Sequence, residues 1–96
     1  MAEPPIINEL APPPMATECG AVEVLRVWAR SNSPQQVALL TTWSDPSAWG
    51  ILLADVARHV ARAYAEQGTP EMEALERVVA LFRAELASPT DELTRL

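Results

Sequence analysis

The sequence predicts an α+β domain in which a β-hairpin is followed by two antiparallel helices, ββαα in order, behind an N-terminal proline-rich extension. Three observations predict it. Two runs rich in Val, Leu, Thr and Trp, Ala21 to Arg30 and Gln36 to Trp43, are separated by Ser31-Asn32-Ser33-Pro34-Gln35. Asp45-Pro46 opens a stretch whose apolar residues recur at helical spacing. Gly68-Thr69-Pro70 closes that stretch and opens a second.

Residues 1–19 hold Pro4, Pro5, Pro12, Pro13 and Pro14, three acids and no base. Proline lacks an amide hydrogen and restricts the residue before it, so the segment is expected to be extended or flexible. Two small apolar clusters, Ile6 with Ile7 and Leu10 with Met15, could dock on the domain that follows.

The hairpin is expected to turn through a five-residue loop, with Arg30 facing Gln36. That register pairs Ala29 with Val37, Val27 with Leu39 and Leu25 with Thr41 on a core face. The other face carries Trp28 beside Ala38, Arg26 beside Leu40 and Val24 beside Thr42. It is too apolar for an ordinary solvent face.

Asp45 is a suitable N-cap and Pro46 suits the first helical position, so a helix is expected over residues 46–67, ending where Gly68 can turn left-handed. Trp49, Leu52, Leu53, Val56, Val60, Ala63 and Tyr64 share one side of it. Thr69-Pro70 repeats the signal, and Met72, Leu75, Val78, Val79, Phe82 and Leu86 form the stripe of a second helix that stops before Pro89. The domain thus spans 20–88, the two helices are expected to cover one face of the hairpin, and 89–96 reads as a frayed end.

The 96-residue chain is 49% hydrophobic and 21% charged, with thirteen acids against seven arginines and a net charge of -6. Such a chain repels phosphate, which argues against nucleic acid as a partner. No apolar run approaches the roughly 20 residues that cross a bilayer, so no membrane is expected. Cys19 has no second cysteine to pair with and His59 no second histidine, which fits a reducing, cytoplasmic setting and leaves no zinc set in a monomer. With three glycines the chain offers no phosphate-cradling loop, and no cofactor is expected.

A core drawn from roughly 70 residues rarely supplies more than ~3 to 5 kcal/mol, and a lone two-stranded sheet is marginal in water. A homo-oligomer, in its simplest form a dimer, is therefore expected, by edge pairing into a four-stranded sheet or by stacking outer hairpin faces through Val24, Arg26, Trp28, Ala38 and Leu40. A larger protein partner could use the same face. In the competing arrangement the N-terminal segment folds back over the hairpin and the chain stays monomeric.

Catalytic chemistry finds little to work with. Asp55 lies one turn before His59 and could orient its imidazole, but no nucleophile accompanies them: Cys19 falls in the tail and no serine sits in a strand-to-helix elbow. No enzyme activity is expected. Arg58 and Arg62 are expected to pair with Asp55 and Glu66 on a solvated helix face. Arg26, Trp28 and Arg30 suggest the alternative, a small-molecule or anion-binding module on the outer hairpin face, because guanidinium grips carboxylate or phosphate and indole stacks on planar groups. Trp43 and Trp49 are expected to pack.

The stretch LRVWARSNSPQQVALLTTWSDPSAWGILLADVARHVARAYA, Leu25 to Ala65, resembles a family of small bacterial proteins, mostly alphaproteobacterial, defined as a domain of unknown function. The likeness rests on the hairpin, Trp43, Asp45-Pro46, Trp49-Gly50 and the segment from Asp55 to Tyr64, and leaves the proline-rich tail outside. The resemblance implies a compact ββαα domain and contributes no catalytic or binding residue.

Overall fold

The computed structural model describes residues 6–90 and 94–95. Pro4 and Pro5 of the expected extended segment, and residues 91–93 and 96 of the expected frayed end, lie outside the described residues. Residues 6–13 have no regular structure and lead into a 3-10 turn, Pro14–Thr17. Strand β1 is Leu25–Trp28 and β2 is Gln36–Leu39, antiparallel, followed by helices α1, Ser47–Glu66, and α2, Glu71–Ala87. Residues 94 and 95 return as β3, Thr94–Arg95, parallel to β2, giving a three-stranded sheet of order β1-β2-β3.

The ββαα order is as the sequence predicts, and the hairpin register differs from the predicted one by two residues. Leu25 faces Leu39, Arg26 faces Ala38, Val27 faces Val37 and Trp28 faces Gln36. The loop has absorbed Ala29 and Arg30. Ser33 donates its amide to the Arg30 carbonyl at 3.2 Å, and Asn32 adopts φ 61°, a left-handed conformation that asparagine tolerates. Because side chains alternate with a period of two, this slip keeps every residue still in the ladder on its expected face.

Asp45 caps α1 as expected. Its Oδ1 accepts the Ser47 amide at 3.0 Å, Pro46 already has helical dihedrals, and these hydrogen bonds hold the Asp45 carboxyl below its usual range. At the other end Gly68, φ 107°, lets the Gly68 amide reach the Ala65 carbonyl at 3.2 Å and the Thr69 amide reach the Tyr64 carbonyl at 3.1 Å. This double bond pattern terminates the helix and reverses the chain. Thr69 does not cap α2 as expected: Pro70 keeps ψ 138°, outside the helix, and its carbonyl accepts the Ala74 amide at 2.9 Å.

The helices pack on each other through small residues, Ala61 of α1 and Ala74 of α2, both buried. They do not cover the hairpin as expected. Among the described residues, no helix Cα lies within 8 Å of a strand Cα. The connection between them explains why. Thr42 adopts φ 60° in a tight turn in which the Trp43 amide donates to the Thr41 carbonyl, and the same carbonyl accepts Trp49 Nε1–H at 3.0 Å. Trp43 and Trp49 meet edge to face at 5.7 Å. The start of α1 is thereby pinned to the end of β2, and the helical pair leaves the sheet rather than folding onto it.

Two glycines test this local account. Neither Gly50 nor Gly68 has an atom within 4 Å of where a Cβ would sit, so only backbone preference decides the outcome. Gly68→Ala should cost about 1–2 kcal/mol by forcing a side chain into a left-handed position. Gly50→Ala, inside α1, should stabilise by roughly 0.5–1 kcal/mol. Thermal unfolding followed by circular dichroism measures both, and equal effects of one sign would contradict the assignment.

Candidate functional site

Two surfaces of this molecule combine apolar area with charge. The first is the outer hairpin face. Val24, Arg26, Trp28, Ala38 and Leu40 all lie on it, and the Leu40 amide donates to the Val24 carbonyl at 3.0 Å, extending the ladder by one rung. Trp28 is 37% exposed, Leu40 and Ala38 are exposed and Val24 is half-buried.

Arg26 on this face is already occupied. Its Nε and Nη2 donate to the two carboxylate oxygens of Glu23 at 2.8 and 3.0 Å, and Nη1 lies 3.6 Å from Glu9 of the proline-rich segment. The fork geometry of guanidinium on carboxylate makes the first contact specific, and hydrogen bonding to Arg26 lowers the Glu23 carboxyl below its usual range. Residues 8–13 thus run beside β1, enclosing with Glu23 to Ala29 a cavity of about 450 Å³. They do not seal the face, since Ile6, Ile7, Leu10 and Met15 are themselves exposed.

Trp28 and Arg30 line a second cavity of about 460 Å³ with Ser33, Pro34 and Gln36. The Arg30 Nε and Nη2 donate to Ser33 Oγ at 3.4 and 3.3 Å, long contacts to a neutral partner, and among the described residues Arg30 makes no ion pair. Of the anion-binding trio, Trp28 and Arg30 therefore share a site and Arg26 is turned to its carboxylates. Thr94–Arg95 pairs with β2 and so occupies one of the two hairpin edges that sheet extension could use.

The second surface is a groove of about 600 Å³ along the helical pair, lined by Tyr64, Ala74, Arg77, Val78, Leu81, Phe82 and Glu85 among others. Sequence reasoning singled out Val78 and Phe82 on the α2 stripe and passed over Leu81, Arg77 and Glu85. The available signal was the spacing 74, 78, 81, 85, a second stripe beside the first. Glu85 is held by Thr90, whose amide and hydroxyl donate to its two oxygens at 2.9 and 2.8 Å and keep its carboxyl below the usual range.

Elsewhere, Asp55 and His59 are both exposed on α1 and no hydrogen bond joins them. Arg62 Nε contacts Glu71 Oε1 at 3.5 Å across the inter-helix turn, in place of the expected Glu66, and the Asp55–Arg58 pair does not form. Cys19 is exposed.

The Glu23–Arg26 fork yields a pH dependence. A carboxyl lowered on folding contributes stability that is present above the ordinary glutamate value and lost as pH falls through its folded value. Titrating the Glu23 carboxyl carbon by NMR should give a midpoint below the ordinary glutamate range, returning to it in Arg26→Ala. An unshifted midpoint in the intact protein would contradict the fork.

Among the described residues no helix is long and apolar enough to cross a membrane. No curated protein matches the chain. A solved structure described as "Structure of a putative pyruvate dehydrogenase from the photosynthetic bacterium Rhodopseudomonas palustrus CGA009" is similar to it, with 41% identity, a TM-score of 0.72, and coverage of 98% of this chain and 95% of that one. Residues 9–90 match the family described as "Domain of unknown function (DUF5076)", a span that includes Pro12 to Pro14 and so corrects the expectation that the proline-rich segment stands outside the resemblance. By that match over most of its length, the chain belongs to the DUF5076 family.

Proposed function

We propose that this chain is a non-enzymatic, cytoplasmic interaction protein that works by associating with itself. One observation carries the reading: among the described residues the buried apolar side chains are Val37, Ala61 and Ala74, and none larger than valine is buried. The accessible surface is 8780 Å², where a folded monomer of 10.5 kDa exposes about 5,400 Å². The radius of gyration, 16.1 Å, likewise exceeds the about 12.5 Å of a closely packed chain this long. The extended N-terminal segment contributes to both excesses, and the exposed Leu40, Leu53, Val56, Tyr64, Leu81 and Phe82 contribute the apolar part.

Obligate homodimers bury ~2,000 Å² or more in total, an amount this chain has to spare. The outer hairpin face, Val24, Arg26, Trp28, Ala38 and Leu40, and the helical groove are the two surfaces available to a second copy or a larger protein partner. Light scattering at micromolar concentration should return about twice the 10.5 kDa of one chain. A mass of one chain would overturn the reading.

A second reading rests on the Trp28–Arg30 cavity, which an aromatic ring and a guanidinium line together. It is a small-molecule or anion site, with carboxylates or phosphates as the ligand class. Titration with inorganic phosphate and short carboxylic acids should then change tryptophan emission, and Trp28→Phe should abolish the change. No response to either class would remove this alternative. The dehydrogenase activity named for the Rhodopseudomonas protein is not proposed for this chain, because no residue of either surface argues for it.

A further inference from the structure

We infer that a second copy of this chain occupies the helical groove, with α2 of one protomer lying antiparallel to α2 of its partner about a twofold axis at Leu81. The inference rests on the self-association reading and specifies its contact.

The groove is apolar along its floor, where Leu81 is 65% exposed and Phe82 50%, with Tyr64 of α1 on its wall. Its charges are one arginine and one glutamate, placed symmetrically: Arg77 is four residues before Leu81 and Glu85 four after it. Within one chain they are separated by about 12 Å of helix and cannot reach each other. Arg77 makes no ion pair among the described residues.

Twofold symmetry changes that arrangement. In an antiparallel pairing centred on Leu81, residue positions that add to a constant face one another, so each Arg77 meets the partner's Glu85 and the interface carries two identical pairs. The two Leu81 side chains meet at the axis. Parallel pairing would instead set Arg77 against Arg77 and Glu85 against Glu85. Charge placement therefore selects the antiparallel arrangement as well as the partner.

Glu85 is prepared for this contact. Thr90 holds both carboxylate oxygens at 2.8–2.9 Å and fixes the group on the groove wall, while each oxygen keeps a further lone pair for a guanidinium. The outer hairpin face has no such self-complementarity, because its Arg26 is already forked onto Glu23 of the same chain.

Sedimentation equilibrium on the full chain and its variants tests the contact, with circular dichroism confirming that each variant is helical. Leu81→Glu, at an exposed position that folding does not need, should leave a monomer. Arg77→Glu and Glu85→Arg should each weaken association at least tenfold, and the double swap should recover most of the loss. Because Glu85→Arg also removes the Thr90 contact, an independent measurement is useful: in a Cys19→Ser background, Leu81→Cys should oxidise to a covalent dimer and Arg83→Cys, on the far side of α2, should not. A dimer indifferent to Leu81→Glu that gives no Leu81→Cys cross-link overturns this contact while leaving self-association standing. A wild-type monomer overturns both.

Discussion

Apolar area left exposed among the described residues is the constraint from which the rest of this protein follows. A ribbon of three short strands and a pair of helices each present an apolar face, and in most small α+β domains each face is the cover for the other. Here, among the described residues, no helix Cα lies within 8 Å of a strand Cα. Among the described residues the buried side chains, Val37, Ala61 and Ala74, are too small to hold a domain together by hydrophobic transfer alone. That exposed apolar surface is what motivates the self-association proposed above.

The separation has a local origin. The Thr41 carbonyl accepts two donors, the Trp43 amide and the Trp49 indole, in a turn whose central residue, Thr42, holds a positive φ that a β-branched residue adopts at a cost. Edge-to-face packing of Trp43 on Trp49 reinforces it. Asp45 then starts α1 one turn later, so the direction of the helical pair is set before its apolar stripe can look for the sheet. Trp43 and Trp49 thus serve the junction instead of a central core.

Local chemistry was legible in the sequence and non-local pairing was not. Asp45-Pro46 and Gly68 mark their helix boundaries because capping is decided by residues within one turn. The face of every hairpin residue was legible because alternation survives a two-residue slip, whereas the register depended on a loop that also took in Ala29 and Arg30. Thr69-Pro70 misled, because proline at a helix start can stand just outside it as well as inside. The periodic stripes of α1 and α2 state that a face is apolar and are silent on what covers it. Strand β3, two residues long, depends on a pairing across most of the chain that no local pattern announces. Of the candidate site, the outer hairpin residues were legible as a group, while the Glu23 and Glu9 partners of Arg26 and the Arg77–Leu81–Glu85 arrangement needed coordinates.

Self-association is the central proposal for this DUF5076 protein. The direct test is urea unfolding at several protein concentrations spanning two decades. If a second copy supplies the missing cover, the midpoint must rise with protein concentration, by about 1.4 kcal/mol of apparent stability per tenfold increase, because the dimer is what unfolds. A midpoint that stays fixed across the series would mean that the lone chain is stable with its apolar faces in water, and would contradict the account at its root.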